Sequence, residues 1–250
     1  ATWAVGVLSY YAQWEPAFEG MYQNFEVDPL LMIGPGLSVT TEGGWTFSGS
    51  FLGNFLKKND ISLDQDVTGN SGPGTVHGEA EYERVELDLT VSYRLHRSFS
   101  IFTGIKITES TIILNSAQVT SGSYTFQAGD EMEPNIFYTG WGIGGTFSYS
   151  LFSGCSAILG VSGLYSKTDI NLNQFVEQQT GQLDYGDVSG SGNGIGCNIT
   201  MSLAHYISAL HLAVSVGGRY QYLHYFGASD DITLEDDTLY GITMSALFVF

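Results

Sequence analysis

The chain ends in Leu239-Tyr240-Gly241-Ile242-Thr243-Met244-Ser245-Ala246-Leu247-Phe248-Val249-Phe250, and this stretch indicates the fold class. Apolar side chains occupy every second position from Tyr240 to Phe250, while Gly241, Thr243 and Ser245 stand between them. A period of two is that of a β-strand whose two faces meet different surroundings. The wet face of a soluble sandwich carries abundant Lys, Glu and Asp, whereas this one carries small neutral groups. The stretch therefore predicts one face toward lipid and the other toward an enclosed interior.

The same alternation recurs along the chain, and its segments are joined by two kinds of connection. Short turns centre on residues 43, 97, 153 and 208, a spacing of 54 to 56 residues that indicates a repeated long hairpin. The predicted strands are 3–12, 31–41, 45–57, 79–95, 98–113, 135–151, 155–171, 189–206, 210–225 and 237–250. The predicted outer loops are 13–30, 58–78, 114–134, 172–188 and 226–236. We therefore expect an all-β fold: a transmembrane antiparallel up-and-down β-barrel of about ten strands. It should occupy residues 1–250 as a single domain, with both termini periplasmic.

Composition supports this fold class and excludes others. Only 14% of the residues are charged, and the mean hydropathy of +0.05 is what alternating lipid-facing and lumen-facing residues average to. No segment reaches the roughly 18 consecutive apolar residues of a membrane-spanning helix. A net charge of −18 with eight basic residues argues against nucleic acid as a partner, because phosphates require clusters of Lys and Arg. The start at Ala1 is typical of a chain from which a signal peptidase has removed a leader. Cys155 and Cys197 are expected to be small apolar fillers, and we expect no cofactor.

The C-terminal stretch resembles the terminal signature of bacterial outer-membrane β-barrel proteins, in which alternating apolar residues finish on an aromatic residue. The resemblance implies a location in the outer membrane of a Gram-negative bacterium, with outer-membrane lipid around the barrel. It also implies that Tyr240, Phe248 and Phe250 serve recognition by the barrel-assembly machinery.

Ten strands is also the count of the omptin surface proteases, whose chemistry uses an Asp pair facing an Asp-His pair at the outer rim. In this sequence Glu86 with Asp88, and His224 near Asp230 and Asp231, do not reproduce that arrangement. Protease activity is therefore not inferred from the resemblance. A surface enzyme, either a protease or a lipid-modifying hydrolase, would have to use Glu86, Asp88, His224 and Asp230 as its acid–base set.

Several charged side chains are predicted to point into the lumen. They are Arg84, Glu86, Asp88 and Arg94 on the fourth predicted strand, Lys106 on the fifth and Arg219 on the ninth. The short turn between the fourth and fifth strands should bring Lys106 within ion-pair reach of Asp88 or Glu86. One hypothesis is a neutralised network that plugs a narrow barrel, because charges inside must be paired. The other is a constriction that selects ions or small solutes. Small lumen residues such as Gly34 and Gly144 either leave space or relieve the strain of tight curvature.

Acidic residues concentrate at the end of the barrel that carries the long loops. Of the 26 acidic residues, all but four fall in predicted outer loops or at the strand ends beside them; the exceptions are Glu42, Glu86, Asp88 and Glu109. Carboxylate oxygens are ligands that Ca²⁺ prefers, and the candidate ligands are Asp64, Asp66, Asp130, Glu131, Asp230 and Asp231. The segment from Asp64 matches the opening of a calcium loop, but Thr75 stands where the closing Glu is expected. The alternative is a solvated surface whose charges repel one another.

These features leave three functional hypotheses. The first is a barrel without enzymatic activity, either a structural surface protein or a narrow, cation-preferring pore for ions or small solutes with an acidic outer mouth. The second is the surface enzyme described above. The third is an adhesion or docking platform formed at the cell surface by the acidic outer loops, with divalent cations or an unidentified protein as partner.

Overall fold

The computed structural model describes residues 1–16, 26–56, 59–126, 135–226, 234 and 236–250. The strands are β1 Thr2–Glu15, β2 Glu26–Val27, β3 Leu30–Thr40, β4 Trp45–Gly53, β5 Asn59–Gly69, β6 Gly72–His96, β7 Phe99–Ser121, β8 Thr125–Phe126, β9 Asn135–Phe152, β10 Cys155–Gln179, β11 Gln182–Ile207, β12 Leu212–Phe226 and β13 Asp236–Val249. The described residues include no helix long and apolar enough to cross a membrane.

Ten of these strands form a closed antiparallel barrel, which confirms the predicted fold class. The order around the barrel is β1, β3, β4, β6, β7, β9, β10, β11, β12 and β13, and pairing of β13 with β1 closes it. The first and last residues lie side by side, since the Trp3 amide donates to the Phe250 carbonyl at 2.9 Å. Both termini therefore lie at the end that carries the four short turns. We call this the turn end, and the opposite end the loop end.

The short turns lie where the sequence predicts them. Gly44 and Gly154 take φ values of +85° and +75°, which side chains with a Cβ rarely adopt. The fourth turn is a 3-10 helix, Ser208–Leu210, closed by His211 in the left-handed conformation. At the loop end β4 stops at Gly53, earlier than predicted. The side chain of Asn54 there bonds the backbone of Tyr82 and Arg84 on β6.

The outward faces of the barrel strands form an apolar belt with aromatic rims. Trp45, Phe47 and Phe51 on β4 are 47%, 49% and 43% exposed. The turn-end rim includes Trp45, Tyr93, Phe99 and Phe250, and the loop-end rim includes Phe137, Tyr165, Tyr222 and Tyr240. Between the rims, the outward positions of the described strands carry no Asp, Glu, Lys or Arg. An uncharged belt with aromatic girdles is the surface that a barrel presents to lipid.

Tyrosine hydroxyls mark the upper limit of the belt. Tyr222 donates to Asp236 at 2.7 Å and Tyr165 to Asn193 at 3.0 Å. Outward-facing charged side chains begin just beyond them, for example the ion pair between Lys167 and Asp169. A tyrosine at a membrane interface keeps its ring in the apolar layer and its hydroxyl in the polar one.

Beyond the loop end, four barrel strands continue as ordered β-structure, so the predicted loops 58–78 and 172–188 are wrong as loops. Both are β-hairpins, β5 with β6 and β10 with β11, and β7 extends into the predicted loop 114–134 as far as Ser121. We call residues 59–82, 111–126 and 170–190 the head. Its apolar residues pack into a core, with Ile61, Val76 and Leu183 at most 2% exposed. The Gly- and Asp-rich composition indicated loops, but burial against a neighbouring strand outweighs local propensity.

Interior glycines serve close approach between strands rather than empty space. A Cβ on Gly34 would lie 1.8 Å from the Phe51 carbonyl oxygen, and one on Gly144 would lie 2.2 Å from that of Val161. Backbone cannot move aside as a flexible side chain can. Of the two explanations that the sequence left open, the structure therefore favours tight curvature for these glycines.

Candidate functional site

Five charged side chains meet at mid-height inside the barrel. Arg84 binds Glu86 through Nε and Nη2 at 2.9 and 2.8 Å. Lys106 binds the other oxygen of Glu86 and lies 3.4 Å from Asp88 Oδ2. The guanidinium of Arg219 lies 3.9 Å from Glu86. We call these five residues the lumen cluster.

Strand geometry brings these residues together. Alternation along β6 points Arg84, Glu86 and Asp88 to the same, inner side. The β6–β7 register sets Asp88 directly opposite Lys106, and β12 supplies Arg219 from across the barrel. Burial is nearly complete at the centre, with Glu86 1% exposed. A buried carboxylate requires paired charges around it, and Glu86 has three cations near it.

Aromatic rings contact the guanidinium groups of the two arginines in the lumen cluster. The Arg84 guanidinium lies 5.4 Å from the Trp14 ring centroid, and that of Arg219 lies 5.5 Å from the Tyr10 ring. Trp14 also stacks on Tyr82 at 4.8 Å and donates its indole N–H to Asp237 at 3.1 Å. Cations over aromatic faces are attracted by the ring quadrupole. These rings fix the guanidinium groups in place.

Sequence reasoning missed Tyr10, Trp14, Tyr82 and Asp237 as partners of the lumen cluster. Trp14 lies beyond the predicted end of the first strand, which extends to Glu15. The signal was present, because Tyr10, Ala12 and Trp14 continue the alternation that begins the strand.

Above the lumen cluster, on the loop-end side, large side chains fill the barrel. The inward-facing apolar residues with at most 1% exposure there are Tyr10, Ala12, Leu30, Met32, Tyr82, Leu223 and Leu239. The sequence predicted small polar groups along the whole lumen. In this half the prediction holds on β7 and β10, where Thr108, Ser110 and Thr168 face inward and are buried, and it is wrong on β1, β3, β12 and β13. Alternation identifies the inward face, but the width of the barrel at each height decides which side chains fit there.

Below the lumen cluster, on the turn-end side, the interior is open and polar. A cavity of about 350 Å³ lies under Asp88 and Arg219, with hydroxyl-bearing side chains on its walls. Between this cavity and the turn end, the inward-facing residues include Ser48 and Ser150, which are exposed. Within the described residues, the turn-end half of the interior is thus a polar cup that is closed on its loop-end side.

Arg94 does not join the lumen cluster. It lies opposite Ser100 near the turn end and is exposed, whereas Asp88 and Lys106 lie deeper in the barrel. The inward direction predicted for Arg94 agrees with the alternation on β6. Its predicted grouping with the others is wrong, because residues six positions apart along a strand are separated by about 20 Å.

The described members of the acid–base set of the enzyme hypothesis are not brought together. Glu86 and Asp88 lie inside the barrel, whereas His224 is on the outer face of β12 and bonds Asp236 at 2.7 Å. Asp230 lies outside the described residues. Side chains on opposite faces of the barrel wall cannot share one substrate, so the three described residues of this set form no common site.

The candidate calcium ligands that the structure describes lie on a strand rather than in a loop. Asp64 bonds His77 at 2.7 Å and Asp66 accepts from Thr75 at 3.0 Å, both within the β5–β6 hairpin. The resemblance to a calcium loop is therefore wrong. Among the described residues, no group of three or more His, Cys, Asp and Glu side chains could hold a metal ion. The other candidates, Asp130, Glu131, Asp230 and Asp231, lie outside the described residues.

The three residues of the predicted assembly signal all lie on the outer face of the barrel. Tyr240, Phe248 and Phe250 are 40%, 49% and 72% exposed. They lie along the strand that closes the barrel, so they face lipid after insertion. Their recognition by the barrel-assembly machinery stays a prediction.

No protein-family model and no curated protein sequence matches the chain. The outer membrane protease OmpT from Escherichia coli is similar in structure, with a TM-score of 0.52 and 12% identity over 100% of this chain and 95% of that one. The chain has the fold of the bacterial outer-membrane β-barrels. The β domain of the Bordetella autotransporter BrkA was also found, with a TM-score of 0.46 and 12% identity over 100% of this chain and 98% of that one.

This fold and the apolar belt together agree with the predicted location in the outer membrane. At 12% identity the likeness to OmpT establishes the fold of the barrel and carries no chemistry.

Proposed function

We propose that this chain is a closed outer-membrane barrel that acts through its head at the cell surface and does not conduct ions. The observation that carries the proposal is the filled loop-end half of the lumen. Tyr82, Leu30 and Leu239, each fully buried, occupy the interior there, directly above the paired charges of the lumen cluster. Small barrels of this kind are filled by side chains, whereas open channels belong to wider ones.

The head has the properties of a preformed binding surface. Gln65 exchanges two hydrogen bonds with the backbone of Phe175, at 2.9 and 3.4 Å, and joins the two hairpins. Ser71 and Glu177 join the hairpin tips at 2.6 Å. A rigid surface loses less conformational entropy on binding than mobile loops do. This order supports a docking role for the head.

The charge of the head indicates the kind of partner. Asp60, Asp66 and Glu79 are exposed on it, in a chain whose net charge is −18. Acidic surfaces steer basic partners and attract divalent cations. We therefore infer a basic protein surface as the partner. The proposal assigns the barrel no enzymatic activity.

Conductance in planar bilayers tests the closed lumen. The refolded protein, with insertion verified by protease protection and by heat-modifiable migration on gels, should give no unitary current steps. A porin of known conductance serves as the control for the bilayer. A variant in which residues 62–79 are replaced by an Asn-Gly turn should stay silent as well, because the head does not close the lumen. Reproducible current steps from the wild-type protein would contradict the proposal.

A further inference from the structure

Beneath the lumen cluster, two adjoining cavities form one recess. The smaller, of about 90 Å³, and the larger, of about 350 Å³, share Asp88, Thr90, Asn198 and Arg219 in their walls. The larger continues into the polar cup toward the turn end. A solute that enters the cup from that end therefore reaches the charged groups at its roof.

Three charged residues among those described line the recess, namely Asp88, Lys106 and Arg219. Lys106 is bound to Glu86 and Asp88, so Arg219 and Asp88 are the cation and the anion considered for a ligand. Arg219 donates to the neutral oxygens of Asn198 and Gln221 at 3.0 and 2.8 Å, and its nearest carboxylate is 3.9 Å away. Asp88 has a 31% exposed side chain, and among the described residues its ion-pair partner is Lys106 at 3.4 Å. Both groups keep hydrogen-bonding capacity for a ligand.

The surroundings of this pair are electrically balanced. Arg84 and Lys106 bind Glu86, and Asp237 lies near Arg84 on the loop-end side. With Asp88 and Arg219 included, three cations face three carboxylates. A ligand of net charge would leave this set unbalanced in a partly desolvated place, whereas a ligand that carries both signs would not.

An unsatisfied hydroxyl also points to a ligand in the recess. Tyr138 lines the smaller cavity and is only 8% exposed, and its hydroxyl has no hydrogen-bond partner among the described residues. Buried polar groups are almost always bonded to protein, water or ligand. The larger cavity adds hydroxyl groups from Ser50, Thr90, Thr200, Ser202, Thr243 and Ser245.

We propose that this recess binds a small zwitterion of about the size of a dipeptide. Its carboxylate pairs with Arg219, because a guanidinium matches a carboxylate in geometry and charge. Its ammonium group pairs with Asp88, and the wall hydroxyls bond the polar body between. The filled lumen above stops the ligand from passing through. The site is therefore a receptor open to the turn end, and it lies apart from the head to which the proposed function is assigned.

Three matched probes test the charge requirement. Glycylglycine carries both charges, N-acetylglycine lacks the ammonium group, and glycylglycinamide lacks the carboxylate. Saturation-transfer difference NMR on the refolded protein in detergent micelles should detect glycylglycine, with the other two at least about tenfold weaker. No binding of glycylglycine overturns the proposal. Equal binding of N-acetylglycine also overturns it, because the recess would then be a simple anion site.

Variants identify the place of binding. Arg219→Gln and Asp88→Asn should each weaken glycylglycine binding at least about tenfold, and Tyr138→Phe by about threefold. Arg97→Gln, at an exposed short turn, is the matched control and should leave binding unchanged. If Arg219→Gln does not fold, as judged by heat-modifiable migration, Asp88→Asn and Tyr138→Phe still test whether the ligand binds in the recess. Unchanged binding in the folded recess variants overturns the assignment.

Discussion

At the scale of single residues, Glu86 is the centre of the barrel interior. It is 1% exposed, and Arg84, Lys106 and Arg219 surround it. Buried pairs of this kind contribute little net stability, but removing one partner leaves the other charges uncompensated. Replacing Glu86 therefore lowers the free energy of unfolding far more than replacing an exposed acidic residue does.

Glu86→Gln should lower the free energy of unfolding by about 3 to 5 kcal/mol, because the cations it binds remain buried without their counter-charge. Urea unfolding in lipid vesicles measures the change. Asp169→Asn is the matched control, since its ion pair with Lys167 is exposed and such pairs contribute about 0 to 1 kcal/mol. Equal losses in the two variants would contradict the central role of Glu86.

Glu177 gives the head a dependence on pH. The Ser71 hydroxyl, and after it the Gly181 amide, donate hydrogen bonds to its carboxylate and lower its pKa. A lowered pKa in the folded state means that the stabilisation is complete above the ordinary carboxyl pKa and is lost as pH falls through the lowered value. Acidification should therefore loosen the contact between the hairpin tips.

Hydrogen exchange at the Ser71 and Gly181 amides measures this loosening. Exchange relative to the intrinsic rate should rise as pH falls below the usual carboxyl range, and Glu177→Gln should show the rise at neutral pH. Glu42→Gln, at an exposed turn, is the control and should have no effect. Protection that is independent of pH and unaffected by Glu177→Gln would refute the prediction.

Among the elements, all barrel strands follow one pattern. The outer face is apolar, and the side chains of the inner face fit the width of the barrel at their height. The outer faces were predictable from sequence, because the lipid imposes one rule at all heights. The inner faces were less predictable from sequence. Ser and Gly line the turn-end half, while Leu30, Tyr82 and Leu239 fill the loop-end half.

Substitution by arginine at two outward positions of β9 locates the loop-end boundary of the lipid-facing belt. Ile143 lies in the middle of the belt and is 59% exposed, while Thr139 lies beside Lys167 at its upper limit. Ile143→Arg should reduce the free energy of folding into lipid vesicles by about 2 to 4 kcal/mol, and Thr139→Arg by about 0 to 1 kcal/mol. Similar losses at the two positions would mean that the belt is not where the membrane lies.

The head shows where sequence reasoning at the element scale stops. Ile61 and Leu63 alternate as a strand does, yet the Asp- and Gly-rich surroundings favoured a loop. What makes the segment a strand is its pairing with β6 and its burial against β10. β6 follows β5 directly in the hairpin, but β10 is about 110 residues away in the chain, and local propensity does not report such a distant contact.

At the scale of the whole molecule, the barrel is polarised along its axis. The head with its exposed acids lies at the loop end, and a polar cup opens at the turn end. In outer-membrane barrels the long connections face outward and the short turns face the periplasm. We therefore expect the head outside the cell and the cup open to the periplasm.

Cysteine labelling of intact Gram-negative cells tests this orientation. In a Cys155→Ala, Cys197→Ala background, Asn70→Cys at the tip of the head should react with a membrane-impermeant maleimide. Ser153→Cys at a short turn should react only after the outer membrane is permeabilised. Both positions lie in turns and are exposed. The reverse pattern of labelling would invert the orientation.

The order of amino acids was sufficient to predict the class of this protein: a barrel with a lipid-facing belt and short turns at one end. It could do so because alternation is a local pattern and the lipid imposes the same demand on each strand. The folded arrangement was needed to show that Arg219 joins Glu86, that Arg94 and His224 do not, and that large side chains fill the upper lumen. Contacts across a barrel depend on register, strand length and local width, which residues far apart in the chain set together.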